Sequence, residues 1–278
     1  MDKNKKILLI GGGKMGSALL GGWLQNGLSI KQFCVQEPNP APALTALGVD
    51  IVPLPKPDFS PDIVVLAIKP QMAAQVIPDV AESVPEACLF LSLMAGTSIA
   101  TLRELAGAGH HFIRTMPNTP AALGRGISAL VADKDVPADL TGAAEWLMQA
   151  VGETVWLSRE DQINAVTAIS GSGPAYVFHM AEALAGSGEA LGLEPAIAKQ
   201  LAYQTVAGAG AMLDTNTDTN ADVDAGQLRR DVTSPGGTTE AALEILAGEA
   251  GLGDLMRRAT SAAFQRARDL AGPEDDKN

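Results

Sequence analysis

The chain runs from a short apolar stretch, Lys6 to Ile10, straight into Gly11-Gly12-Gly13-Lys14-Met15-Gly16 and then into a segment with helical character, Met15 to Asn26. That order fits G-x-G-x-x-G between a strand and a helix. Gly11 permits the tight turn, Gly13 lets backbone amides approach a pyrophosphate, and Gly16 lets the helix pack close to the strand. The phosphates would rest on the positive end of the helix. A glycine-rich turn alone could be an ordinary tight connection, so the reading depends on the pattern of the next hundred or so residues.

That stretch repeats the alternation. Strand-like runs at Gln32 to Gln36, Val49 to Val52, Ile63 to Ile68, Cys88 to Leu93 and His111 to Thr115 are separated by helix-like stretches, among them Gln71 to Val80 and Ser98 to Ala106. Two more runs, Ile127 to Ala132 and Thr154 to Leu157, flank a helix over Leu140 to Val151. Apolar strands alternating with helices predict an α/β domain, a doubly wound and mostly parallel sheet covered on both faces. Its span is residues 1–158.

After Ser158 no strand is predicted. Helices are expected near 160–170, 174–191, 195–214, 226–231, 238–249 and 252–271, which defines an all-helical second domain over 159–272 and leaves 273–278 as a disordered tail. Small residues such as Ala207-Gly208-Ala209-Gly210-Ala211 favour close helix contact. With so few large apolar side chains the domain is expected to bury its faces against a second copy, as a dimerisation domain. The acidic, polar stretch Asp214 to Asp224 reads as a solvated loop; its carboxylates lack the spacing of a calcium loop.

The formal net charge of −12 disfavours nucleic acid and anionic membrane surfaces as partners. No run approaches the roughly 20 apolar residues of a membrane span, and the four-residue run Ile7 to Ile10 is too short for a signal-peptide core, so a cytoplasmic protein is expected. Cys34 and Cys88 lie inside apolar runs and are expected as buried thiols, with no metal site implied.

Coenzyme choice turns on the end of the second strand. Glu37 lies 21 residues after Gly16 and follows Gln36, with no Arg or Lys nearby. An acid there can accept from a ribose 2′-hydroxyl and repel a 2′-phosphate, which favours NADH. The alternative is that Glu37 caps a following helix near Asn39. Ala67-Ile68-Lys69-Pro70 and Ala95-Gly96 also end strands facing the same crevice, where ordinary turn chemistry competes with ligand contact.

Two clusters in the second half suggest anion sites. Ser170-Gly171-Ser172-Gly173-Pro174 interrupts a helical pattern, with Pro174 placed as the first residue of a new helix, and Ser234-Pro235-Gly236-Gly237-Thr238-Thr239 precedes another. A carboxylate at such a helix start gains on the order of 1 kcal/mol from the dipole.

Together with Met116-Pro117-Asn118-Thr119-Pro120, these motifs appear in the order found in pyrroline-5-carboxylate reductases, which the sequence resembles over nearly its whole length. The resemblance implies a Rossmann-type domain followed by a helical domain that intertwines with its partner, as a homodimer often assembled into a homodecamer. It implies reduction of Δ1-pyrroline-5-carboxylate to L-proline by hydride transfer from NAD(P)H. It further implies that Ser234, Gly237 and Thr238 hold the substrate carboxylate, that the Thr239 hydroxyl meets the ring nitrogen, and that Gly173 and Pro174 shape the pocket. Gly11, Gly13, Lys14, Met15, Gly16, Gln36, Glu37, Ala67, Ile68, Lys69, Pro70, Ala95 and Gly96 would then contact the coenzyme.

Lys14 stands where the family often has Asn. Glu37 stands where many members have small polar residues that accept a phosphate, so the resemblance favours NADPH while the residue itself favours NADH. Such chemistry needs no nucleophile or triad, so His110, His111 and His179 carry no assigned role. A β-hydroxyacid dehydrogenase would need a catalytic Lys in the helical half, where only Lys199 is available. A non-catalytic nucleotide-binding sensor is the rival from another class.

Overall fold

A computed structural model describes residues 5–53, 59–214 and 224–271. Most of the Asp214 to Asp224 stretch and the 273–278 tail lie outside the described residues.

The strands are β1 (Ile7–Ile10), β2 (Phe33–Gln36), β3 (Asp50–Val52), β4 (Ile63–Leu66), β5 (Leu89–Ser92), β6 (His111–Met116), β7 (Gly126–Ala132) and β8 (Gly152–Trp156). They form one sheet in the order β3-β2-β1-β4-β5-β6-β7-β8. Every pairing is parallel except β6 with β7. The order reverses at β1, which pairs with β2 on one side and β4 on the other. A crevice opens at the carboxyl ends of strands at such a switch point.

The helices of this first half are α1 (Lys14–Gln25), α2 (Pro42–Thr45), α3 (Ala73–Ser83), α4 (Ile99–Ala106) and α5 (Ala138–Gln149), followed by α6 (Gln162–Val166). Because side chains alternate along a strand, the sheet feeds two cores. Leu9, Val35, Val65 and Leu91 pack with Leu19, Leu20 and Trp23 of α1 and Leu147 of α5. Leu8, Cys34, Val64 and Phe90 pack on the other face with Ile77 of α3 and Leu102 of α4. Trp23 is fully buried, stacks on Phe33 with centroids 5.6 Å apart, and donates its indole N–H to the Leu147 carbonyl at 2.7 Å.

The remaining helices are α7 (Gly173–Ala190), α8 (Pro195–Asp214), α9 (Ala225–Asp231), α10 (Thr238–Leu246) and α11 (Leu252–Ala271). The chain divides into two compact units, Gly173 to Ala262 forming one and the rest forming the other. The compositional change at Ser158 therefore does not coincide with the compact division. Residues 159–172 join the sheet-bearing unit because Ile163 is buried with Met116 of β6 and Val131 of β7. The end of α11 joins it too: a Cβ on Gly96 would lie 2.7 Å from the Leu270 carbonyl oxygen.

In the helical unit only alanines are buried on α7 and α8: Ala181, Ala185, Ala198 and Ala202. Phe178, Leu184, Leu201 and Tyr203 are exposed. Small residues let α7 and α8 approach closely, and the large apolar ones face outward.

Some boundaries differ from the sequence reading. The expected helix over Gln71 to Val80 opens as a 3₁₀ turn at Pro70–Met72 and continues to Ser83. The expected helix over 238–249 ends at Leu246, before Gly248 and Gly251. Around Ser170 the chain forms a π turn, Thr167–Gly171, in which the Ser172 amide donates to the Thr167 carbonyl at 2.8 Å. Pro174 is the second residue of α7, not its first. Having no N–H, Pro174 cannot donate to the carbonyl four residues back, and the wider turn accommodates that missing bond.

Candidate functional site

The glycine turn sits at the switch point. Gly11 has φ +99°, donates its amide to the Gln36 carbonyl at 2.9 Å, and lies against the end of β4: a Cβ there would be 2.6 Å from the Ala67 carbonyl oxygen. Only glycine fits that conformation at that distance. A Cβ on Gly16 would stand 2.2 Å from the Gly11 oxygen, so α1 starts as close to the turn as backbone permits. Gly13 is different. It is exposed, and a Cβ on it would meet nothing within 4 Å.

Gly13 caps α1 without any side-chain hydrogen bond, and the Ser17 hydroxyl is turned onto the Gly12 carbonyl at 2.8 Å. The first amides of α1 have no intrahelical acceptor. With no acidic residue in the first turn, this helix start has the geometry that suits a phosphate, and its open side is at Gly13. Lys14 is exposed beside it, and Met15 packs partly onto the α1-side core.

Glu37 leaves β2 and turns back toward the cradle. Its Oε2 accepts from the Gly12 amide at 2.8 Å and its Oε1 from the Asn39 amide at 3.0 Å. The helix beyond it, α2, starts only at Pro42, so Glu37 is not its cap. Gln36 ends β2, and its Oε1 is buried without a partner. The Ala67 amide donates to the Ile10 carbonyl at 2.8 Å, tying the β4 end to the β1 end. Ile68 is half-buried beside Gly11, Lys69 is exposed, and Pro70 begins the 3₁₀ turn. Ala95 and Gly96 come after β5; Gly96 has φ +69°.

One polar cluster at this end of the sheet was missed from sequence. Glu160 reaches the buried Arg114 of β6 at 2.7 Å and accepts from the Ile99 amide at 2.7 Å through the same Oε1. An arginine inside the apolar run Phe112-Ile113-Arg114 is the signal that could have exposed it.

In the helical unit, Ser234 to Gly237 form a turn closed by the Gly237 amide on the Ser234 carbonyl at 3.0 Å, with Gly236 at φ +70°. Gly237 caps α10 with no side-chain bond, and Thr238 and Thr239 are its first two residues. Glu240 bends back to accept from the Gly236 amide at 2.7 Å. The Thr238 and Thr239 amides thus stand at a helix start beside two hydroxyls, a geometry suited to a carboxylate. Gly173 and Pro174 open α7 and are partly exposed.

The histidines make other contacts. His110 tilts against Phe90 with centroids 4.9 Å apart, and burial pushes its imidazole below the ordinary range. His111 begins β6, and His179 pairs with Glu182 on the exposed face of α7. Lys199 is exposed, with its Nζ over the Tyr203 ring at 5.4 Å, and lines an open cavity with Glu182 and Glu189. Cys34 and Cys88 are buried thiols outside any disulfide; burial, then the nearby Asp62 charge, pushes the Cys88 thiol up to about 12. Among the described residues no cluster of three His, Cys, Asp or Glu could hold a metal, and no helix is long and apolar enough to cross a membrane.

A protein from Pseudomonas aeruginosa described as pyrroline-5-carboxylate reductase is 38% identical over 270 residues, covering 96% of this chain and 97% of its own length. The chain belongs to the pyrroline-5-carboxylate reductase family. Residues 160–270 match the model described as pyrroline-5-carboxylate reductase dimerisation, and residues 6–96 match one described as NADP oxidoreductase coenzyme F420-dependent. A solved pyrroline-5-carboxylate reductase from Coxiella burnetii superimposes with a TM-score of 0.87 at 35% identity, covering 97% of this chain and all of that one. A Plasmodium falciparum pyrroline carboxylate reductase solved with NADP bound gives 0.81 at 26% identity, covering 97% and 99%. The pyrroline-5-carboxylate reductase relatives thus cover both halves of the sequence.

Proposed function

We propose that this chain reduces Δ1-pyrroline-5-carboxylate to L-proline with a hydride from NADH or NADPH. The observation that carries the reading is the pair of uncapped helix starts, one at Gly13 on the sheet and one at Gly237 in the helical unit, in a chain of this family. The coenzyme, when bound, supplies the hydride.

The chain's own residues hold and orient. Gly11, Gly13, Lys14, Met15 and Gly16 cradle the pyrophosphate with the amides of α1. Ala67, Ile68, Lys69, Pro70, Ala95 and Gly96 line the strand ends beside it. Gln36 and Glu37 stand at the adenosine ribose. Both Glu37 oxygens already serve backbone amides, and each retains a further lone pair for a ribose hydroxyl. A 2′-phosphate would meet the carboxylate's charge, so we assign a preference for NADH despite the NADP-bound relative.

At the second helix start, Ser234, Gly237 and Thr238 take the substrate carboxylate. The Thr239 hydroxyl hydrogen-bonds the ring nitrogen, and Gly173 and Pro174 shape the pocket. A C=N carbon next to a protonated nitrogen is already electrophilic, so holding it, supporting the nitrogen and excluding water suffice. No side-chain nucleophile is required.

The exposed Phe178, Leu184, Leu201 and Tyr203 on α7 and α8 support self-association through the helical unit, as a homodimer and, by family resemblance, a homodecamer. We assign coenzyme binding to residues 1–158 and substrate binding and dimerisation to 159–272, in a cytoplasmic enzyme. The test tracks absorbance at 340 nm with Δ1-pyrroline-5-carboxylate and NADH, then NADPH, then a β-hydroxyacid with NAD⁺, then the reduced coenzyme alone. Imine-dependent oxidation of the coenzyme is expected. Turnover only with the hydroxyacid, or none at all, would refute the reading.

A further inference from the structure

We propose that Glu160, charged against Arg114, is a positioning residue that holds the turn Met94 to Ser98, at the carboxyl end of β5, in the shape that receives the coenzyme. The inference rests on the assignment of Ala95 and Gly96 to the coenzyme site.

Arg114 is the unusual residue. Its side chain is 2% exposed, in a strand position paired in register with Ser92 and Val131, and a buried guanidinium needs a compensating charge. Glu160 supplies it at 2.7 Å, while Arg114 Nη2 stays buried without a partner. The compensation of this cation therefore passes through one carboxylate. That same Oε1 accepts the Ile99 amide at 2.7 Å. Ile99 is the first residue of α4, where an amide has no intrahelical acceptor, so Glu160 takes that amide from 61 residues away while the N-cap Ser98 hydroxyl takes the Thr101 amide at 3.1 Å.

The turn between β5 and α4 is thereby fixed at its far end. At its near end the Met94 amide donates to the Ser92 hydroxyl at 3.3 Å, and Ser92 is the register partner of Arg114 across the sheet. In the middle, Gly96 at φ +69° abuts the Leu270 carbonyl. A turn held at three points keeps one shape, and of these holders Glu160 alone also answers a buried charge. Removing that charge weakens the hold on the Ile99 amide and leaves Arg114 to seek another partner, both of which displace the turn.

The test measures coenzyme affinity directly, by nicotinamide fluorescence on the full chain, with whichever of NADH and NADPH binds the unaltered protein more tightly. Glu160→Gln keeps an acceptor oxygen and removes the charge; its coenzyme Kd is expected to rise about tenfold, the scale on which sub-ångström misplacement acts. Glu160→Asp keeps the charge and shortens the arm by one methylene, so it carries the test if the Gln variant does not fold; a rise of about threefold or more is expected. Arg114→Lys, which keeps both the charge and the Ile99 cap, should leave Kd within about threefold of the unaltered chain. Thermal midpoints recorded alongside separate positioning from mere stability: lower midpoints with Kd within twofold in the folded Glu160 variants would overturn the proposal. Failure of the unaltered protein to bind either coenzyme would instead sink the functional reading on which it rests.

Discussion

Gly16 and Gly13 carry different demands, close helix packing and phosphate approach, and substituting each by Ala tests how the cradle is built. A Cβ at Gly16 would lie 2.2 Å from the Gly11 oxygen and 3.2 Å from its carbonyl carbon. An ordinary contact to that oxygen needs roughly 1 Å more. Gly11 cannot give way, because its amide is bonded to Gln36 and its Cα side abuts the Ala67 carbonyl. The displacement falls on α1, whose Leu19, Leu20 and Trp23 are fully buried. Overpacking of this kind costs about 1 to 3 kcal/mol, roughly 2 to 12 °C in Tm for a chain of this size. Moving the helix start by about 1 Å should also weaken coenzyme binding by up to about 10²-fold. Gly13→Ala meets nothing in the free protein, so its Tm should stay within about 1 °C while coenzyme affinity still falls, the methyl standing where a phosphate approaches. Differential scanning fluorimetry and a fluorescence titration with NADH read both quantities. A Gly16→Ala variant with unchanged Tm and Kd would refute the packing account, and unchanged affinity in Gly13→Ala would remove the phosphate from that helix start.

Glu37→Ser should raise the ratio of kcat/KM for NADPH over NADH about tenfold, since a carboxylate–phosphate repulsion of a few kcal/mol at a partly exposed site is largely screened; it should also cost about 1 kcal/mol of stability because the buried Gly12 amide loses its acceptor. An unchanged ratio would take Glu37 out of coenzyme selection. Thr239→Val should leave the coenzyme Kd within twofold and lower kcat by about tenfold or more, as loss of one hydrogen bond to a charged group costs about 1.5 to 3 kcal/mol; turnover equal to the unaltered chain would refute its role at the ring nitrogen. Cys88 is held protonated by burial, with its folded pKa raised from 9.0 to about 12. The resulting stability is complete below pH 9, where the unfolded thiol is also protonated, and is lost progressively as pH rises from 9 toward 12. Urea unfolding at pH 8 and pH 10 should show a decline about 1 kcal/mol larger in the natural chain than in Cys88→Ala, and parallel declines would show that the thiol is not so shielded.

What was legible in the sequence is what short range decides. Ile63-Val64-Val65-Leu66 and Ile7-Leu8-Leu9-Ile10 are buried on both sheet faces, so uninterrupted apolar character along each run identified them as central parallel strands. The spacing Gly11-x-Gly13-x-x-Gly16 likewise encodes a local backbone demand. The edges were less legible: α2 is four residues long, and the π turn at Thr167–Gly171 depends on a proline three residues beyond it.

The clearest failures involve partners far apart in the chain. Arg114 and Glu160 are separated by 46 positions, and Gly96 meets Leu270; neither pairing leaves any periodic trace. Glu37 shows the same limit from inside a recognised motif. Its position after the second strand gave two readings, ribose acceptor or helix cap, both based on spacing along the chain. In the fold the glycine turn and the end of β2 lie side by side because β1 and β2 pair in register, Ile10 with Gln36. The carboxylate therefore grips the Gly12 amide. If that bond persists on binding, selecting against a 2′-phosphate and stiffening the pyrophosphate turn are one act of one side chain. A coenzyme switch made by substituting Glu37 alone should then loosen the turn, so kcat/KM for NADH should fall by more than kcat/KM for NADPH rises. A second substitution that tightens the turn elsewhere would be needed to recover the difference.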